Sequence, residues 1–227
     1  MNVITLASRK GGSGKSTLTA HLAAFAQSLG KRCLILDADP QGSLTLWHSL
    51  RPDRQPPLEN AARGIDRLLA HAMIEGVEWV FIDTAPTLWV VVQEAIRAST
   101  LVVIPARPGF FDLAAVRETV KIARDRNKPY AVVINAAPVK RDDKEAPAVL
   151  QSRAFFEGLG IPVWGGQVSH RTGFVLTLAA GASIGEVAPT SAAGTEMNGL
   201  WWAVERSVAA INAAHATPGA ANKQAAA

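Results

Sequence analysis

The residues Lys10-Gly11-Gly12-Ser13-Gly14-Lys15-Ser16-Thr17 place three glycines, two ammonium groups and three hydroxyls within eight positions. That set can hold a polyphosphate. Gly11, Gly12 and Gly14 let main-chain amides approach phosphate oxygens, Lys15 can reach the β- and γ-phosphates of a nucleotide, and the Ser16 hydroxyl can ligate Mg²⁺. The pattern departs from the common phosphate-binding loop at its start: Arg9 stands where that loop has its first glycine, and Lys10 adds a second lysine. Two carboxylate motifs accompany the loop. Leu34-Ile35-Leu36-Asp37-Ala38-Asp39-Pro40-Gln41-Gly42 clusters two acids and a glutamine where an apolar run stops. Asp37 either caps a turn there, leaving Asp39 as the chemical carboxylate, or acts beside it. Trp79-Val80-Phe81-Ile82-Asp83 ends a second apolar run in an acid of the kind that supports Mg²⁺ through a bound water.

These groups meet only if the chain brings them to one edge. A phosphate loop needs a strand that delivers it to a helix N-terminus, where unpaired amides and the helix dipole face the anion. Apolar runs at 3–7, 33–38, 79–84, 101–105, 131–135 and 162–164 alternate with helical periods, which predicts an α/β fold with a mostly parallel, twisted sheet flanked by helices on both faces; the phosphate loop after the first run makes it P-loop NTPase-like. In such a sheet the C-terminal strand ends line the ligand crevice, so the loop, Asp37, Asp39 and Asp83 converge. Leu18, Leu22, Phe25 and Leu29 give the first helix its apolar face, with Gly30 as its stop. Residues 51–64, rich in proline and charge, read as a surface loop. A last helix from about Glu196 carries Met197, Trp201, Val204, Val208 and Ile211 on one face, and Trp201 and Trp202 are expected to pack rather than to recognise. One domain is expected over residues 1–212, followed by a disordered alanine-rich tail over 213–227.

Composition is compatible with one sizeable core: 227 residues, 48% hydrophobic and 19% charged. The net charge of +4 allows a polyanionic partner without requiring one. The single Cys33 excludes a disulfide framework within the chain and reads as a buried thiol. With no apolar run long enough to span a bilayer and no secretory signal, a cytoplasmic protein is expected.

Lys-Gly-Gly-x-Gly-Lys-Ser at 10–16, Asp-x-Asp-Pro-Gln-Gly at 37–42 and the apolar strand ending at Asp83 together resemble the deviant Walker ATPases of the ParA/MinD family. The resemblance spans roughly residues 1–210 and is nearest to the small ParA-type partition ATPases without an N-terminal helix-turn-helix domain, since the first strand begins at residue 3. It implies ATP and Mg²⁺ as cofactors and an ATP-sandwiched homodimer in which Lys10 touches the partner's nucleotide. It implies Lys15 as the phosphate lysine in its own subunit, Ser16 on the metal, Thr17 on the α-phosphate and Ser13 within the binding loop. Asp39 matches the acid that positions the attacking water and could also face the metal through water. Asn135 matches an asparagine that reads the adenine edge, although a turn-forming role fits that residue type equally.

The resemblance also implies non-specific DNA binding on the nucleoid, a ParB-like or cargo-adaptor activator, and segregation of a plasmid, chromosome or protein cluster. DNA contact requires a cationic stripe. Arg117, Lys121, Arg124, Arg126 and Lys128 form the densest one, Lys140, Arg141 and Lys144 the next, and Arg171 matches a family position. Acids dilute both clusters. Where family members often carry two prolines after the strand aspartate, this chain has Asp83-Thr84-Ala85-Pro86 with one. A MinD-like membrane ATPase would need a basic amphipathic last helix, whereas this one offers Arg206. A metabolic P-loop ligase or kinase would use the same loop without needing Lys10.

Overall fold

The computed structural model of the chain describes residues 1–61 and 64–216. Its elements alternate: β1 (Asn2–Leu6), α1 (Lys15–Ser28), β2 (Cys33–Ala38), α2 (Ser43–Leu50), β3 (Leu58–Asn60), α3 (Ile65–Ile74), β4 (Trp79–Thr84) and α4 (Trp89–Ala98). Then follow β5 (Leu101–Ala106), α5 (Phe110–Asp125), β6 (Tyr130–Ile134), α6 (Pro147–Gly158), α7 (Thr172–Ala179), α8 (Ile184–Val187) and α9 (Ala192–Ala216). The six strands pair in the order β3-β2-β4-β1-β5-β6, every pair parallel. The chain leaves β1 toward one side of the sheet and leaves β4 toward the other. The crevice beyond β1 therefore lies at a topological switch point, the place where open α/β sheets bind ligands.

Strand alternation feeds both faces. In β4, Trp79 and Phe81 enter one core while Val80 and Ile82 enter the opposite one. The first core is roofed by α1, with Leu18, Leu22 and Phe25, and by α9, with Met197, Trp201, Val204 and Val208. Trp201 is fully buried and sits 4.8 Å from Trp79 and 6.4 Å from Phe81, ring centre to ring centre, whereas Trp202 is 42% exposed. The packing expected of the tryptophan pair thus falls to Trp201. Cys33 is buried, as expected, and its surroundings push the thiol up to about 12 by desolvation. The second face is covered by α3 to α6. His21 is buried in α1, where its Nδ1 accepts a hydrogen bond from the Ile184 amide at 3.1 Å. Burial lowers its pKa to about 4, a fall opposed by a backbone hydrogen bond at Phe174 and by Glu186.

Four expectations change. The loop at 51–64 contains the edge strand β3, in register Ile35↔Leu58 to Asp37↔Asn60. Its sequence, Leu-Glu-Asn, is too short to show a period. The apolar run 162–164 forms only a single bridge, Val132↔Val163: Pro162 has no N–H to extend a ladder, and Gly165-Gly166 turn the chain back against the Trp164 ring. The last helix begins at Ala192, because Ser191 caps it through the Gly194 amide at 3.1 Å. It also runs to Ala216, so 213–216 are helical rather than tail, and 217–227 lie outside the described residues.

Candidate nucleotide site

The phosphate loop joins β1 to α1, as its sequence requires. Gly12 (φ +71°) and Gly14 (φ +99°) occupy the left-handed region that side chains disfavour. A Cβ at Gly14 would moreover collide with the Asn135 carboxamide. Asn135 is buried and its Nδ2 donates to the Ser13 carbonyl at 2.7 Å. Asn135, expected at the adenine edge, thus buttresses the loop through this bond. Lys15 is buried, and its Nζ donates to the Lys10 carbonyl at 3.4 Å. Burial lowers its pKa, against the opposing pull of Asp83 and Asp39. Lys10 is exposed on the outer rim of the loop.

Before these residues opens a cavity of about 670 Å³. Gly11, Gly12, Gly14, Lys15, Ser16 and Thr17 of the loop line it, together with the polar Asp39 and Arg107 and the apolar Leu44, Trp47 and Leu178. The volume and the mixed lining suit a nucleotide-sized ligand.

The two acids of the β2 end divide their work. Asp37 is buried; its Oδ1 accepts from the Asp39 amide at 3.2 Å, and its Oδ2 from the Thr45 amide at 3.0 Å and the Thr45 hydroxyl at 2.7 Å. It thus satisfies a free amide of the first turn of α2 and fixes the turn before it. Asp39 is left to line the cavity, with Oδ1 accepting from the Gln41 amide at 2.9 Å.

Asp83 is fully buried at the end of β4, and neither carboxylate oxygen has a hydrogen-bond partner of normal geometry. Its desolvation raises the pKa to about 7. The neighbouring Ser16 hydroxyl and Lys15 oppose that rise, while Asp37 and Asp39 add to it. A buried acid with two orphaned oxygens beside a serine hydroxyl fits a hard cation. Among the described residues no cluster of three or more His, Cys, Asp or Glu could hold a metal alone.

Arg9, at the position of the missing first glycine, pairs with Glu118 at 3.3 Å and lies 4.7 Å from the centre of the Trp89 ring. It ties the loop to the start of α4 instead of facing the cavity.

The cationic residues offered for DNA are largely engaged. Lys121 pairs with Asp125 at 2.9 Å, and Arg124 donates to the Tyr130 hydroxyl at 2.7 Å and to the Gly160 carbonyl at 3.3 Å. Arg171, 26% exposed, pairs with Glu196 at 2.9 Å. Glu196 stands 25 residues further on, so no local pattern announces this pair. Arg107 was not among the residues singled out from the sequence. The signal available was a cation directly after an apolar strand, at the sheet edge where ligands bind.

The profile of the CobQ/CobB/MinD/ParA nucleotide binding domain matches residues 4–184. The chain is 31% identical over 143 residues to the chromosome-partitioning ATPase Soj of Thermus thermophilus, covering 50% of this chain and 57% of that protein. It is 35% identical over 120 residues to the maintenance of carboxysome distribution protein A of Gloeobacter kilaueensis, covering 52% and 55%. The matches thus span little more than half the length of these relatives. Cobyrinic acid a,c-diamide synthase of Mycobacterium smegmatis, solved with a bound ATP analogue and magnesium, shares the fold with a TM-score of 0.67 and 18% identity over 91% of this chain and 94% of that one.

Proposed function

The chain belongs to the CobQ/CobB/MinD/ParA nucleotide-binding family, and from that premise we propose that it is a ParA-type ATPase whose ATP-bound homodimer segregates or positions a cargo. In this reading ATP fills the cavity with its phosphates on the loop amides and Lys15, and Thr17 meets the α-phosphate. Ser16, and Asp83 through water, hold Mg²⁺, which supplies countercharge to the phosphates. Asp39, its carboxylate oriented by the Gln41 amide, positions a water against the γ-phosphorus. The new P–O bond forms as the bond to the β-phosphate oxygen breaks, leaving ADP and inorganic phosphate.

The observation that carries this reading is the placement of the two lysines. Lys15 is buried within the cavity of its own subunit, whereas Lys10 is exposed on the rim and does not line that cavity. A cation so placed is suited to a phosphate in a second subunit, in the manner of an arginine finger supplied in trans. Non-specific DNA, met by Arg171, Lys121 or Arg124 on the nucleoid, would read out the dimer, and an activator protein on the cargo would trigger hydrolysis. A membrane role is disfavoured because the apolar face of α9 is spent in the core, and no helix among the described residues is long and apolar enough to cross a bilayer.

Light scattering tests the switch. The chain with ATP and Mg²⁺ is expected to be dimeric and with ADP monomeric, and Lys10→Ala to bind ATP yet stay monomeric. The dimer is expected to retain duplex DNA with an affinity that falls steeply with salt. Association indifferent to nucleotide, or dimerisation of Lys10→Ala at the wild-type level, refutes the reading. ATP-dependent turnover of a small molecule by the monomer would favour a metabolic enzyme instead.

A further inference from the structure

We propose that Arg107 is a third cation of the phosphate site, contacting the terminal phosphate of the nucleotide bound in its own subunit; this rests on the ATPase reading above. The sheet puts it there. β5 pairs with β1 through Ile4↔Leu101, Thr5↔Val102 and Leu6↔Val103, so the end of β5 opens beside the phosphate loop, and Arg107 is the first residue past that strand. Its backbone is pinned: the amide donates to Oδ1 of the buried Asp112 at 3.2 Å, and the preceding Ala106 carbonyl accepts from the Asn135 amide at 2.8 Å. Its guanidinium reaches the loop, with Nη2 at 3.9 Å from where a Cβ on Gly12 would stand.

Charge and position give the role. Arg9, Arg51 and Arg171 each have a carboxylate partner, but among the described residues none pairs with Arg107. A cation held at a cavity wall without a counter-ion is matched to an anionic ligand, and a guanidinium binds phosphate oxygens through two parallel N–H groups. The phosphate it meets follows from the order of the loop. Arg107 lines the same cavity as the loop, and its guanidinium stands beside Gly12, ahead of Lys15, whereas Thr17, on the α-phosphate in the proposed reading, lies past Lys15. Its place is therefore the terminal phosphate, where negative charge spreads over the transferring phosphoryl oxygens.

Binding of fluorescent ATP and ADP in the presence of Mg²⁺ separates the terminal phosphate from the rest of the nucleotide. Arg107→Ala is expected to weaken ATP binding about 10- to 100-fold and to leave ADP within about 2-fold, as the loss of one charge-assisted contact requires. Arg107→Lys, which keeps the charge but not the fork, is expected to recover part of the ATP affinity. Unchanged ATP binding in Arg107→Ala, or equal weakening of ATP and ADP, overturns the proposal. If Arg107→Ala fails to show the wild-type melting transition, Arg107→Gln replaces it under the same criteria. A wild-type chain that binds neither nucleotide refutes the ATPase reading and this inference with it. Wild-type binding of both, with variants indistinguishable from it, refutes the inference alone.

Discussion

Asn135 and Gly14 make a coupled pair whose energetics follow from their contact. Gly14→Ala introduces a Cβ at φ +99°, a strain of about 1–2 kcal/mol, and drives it into the Asn135 carboxamide, whose Cγ would lie only 3.3 Å away. The carboxamide must leave, which breaks its bond to the Ser13 carbonyl and leaves that buried acceptor unpaired, a further loss of about 1–3 kcal/mol. Asn135→Ala suffers the second loss alone, about 1–3 kcal/mol. In the double variant the collision is gone and the bond is lost only once, so the total is about 2–5 kcal/mol. The two single changes should therefore sum to more than the double by about 1–3 kcal/mol. Urea unfolding of the four proteins, with a common slope, measures this coupling directly. Additivity within about 0.5 kcal/mol would show that Asn135 does not hold the loop, and the buttress reading would fall.

His21 makes the fold acid-sensitive. Its pKa is near 4 in the folded chain against 6.5 when exposed, so the unfolded state binds the extra proton between those values. Stability is complete above pH 6.5 and falls by roughly 3 kcal/mol as pH drops toward 4, a loss that His21→Gln should largely remove from the urea midpoint. Asp37 and Asp39 should part company: Asp37→Ala strips α2 and its turn of their acceptor, with a loss of about 2–4 kcal/mol read as a lowered Tm. Asp39→Ala is expected to stay within about 1 kcal/mol of the wild type while ATP remains bound and phosphate release stops. Phosphate release by Asp39→Ala at the wild-type rate would remove that residue from the water-positioning role.

β2 and β4 are legible in the sequence residue for residue because each is a nearly unbroken apolar run closed by an acid, and burial on both faces demands such a run. β3 is not, since Leu58-Glu59-Asn60 carries neither alternation nor β-branching; it is a strand because the β2 edge offers unpaired groups. The loop and its helix were legible for a local reason: glycines, lysine and hydroxyls must be contiguous to cradle phosphate. What stayed hidden depends on distant pairs. Asp37 could be resolved into a cap only through Thr45, eight residues on. The Asn135 amide finds its acceptor 122 residues away, and a lone polar residue at a strand end carries no sign of that. Arg171, singled out as a DNA-contacting position, meets Glu196 25 residues on, a pairing no local pattern announces.

The cavity brings together buried polar groups that a nucleotide and its cation would satisfy. Neither buried oxygen of Asp83 has a hydrogen bond of normal geometry, the Ser13 hydroxyl is likewise buried and unpaired, and the buried Lys15 ammonium donates to a backbone carbonyl at 3.4 Å near Asp83 and Asp39. Each is a desolvated polar group that a cation or a phosphate oxygen can satisfy. Binding would therefore satisfy buried polar groups of the folded chain, and a ligand present at a hundred times its Kd would raise stability by about 2.7 kcal/mol. Lys10 belongs to a different balance. Exposed on the rim, it bears no burial penalty in the single chain, and covering it with a second subunit would create one. Under the proposed mechanism only phosphate charge in that second subunit offsets the penalty. Lys15 then couples nucleotide to the stability of one chain, and Lys10 couples it to the association of two.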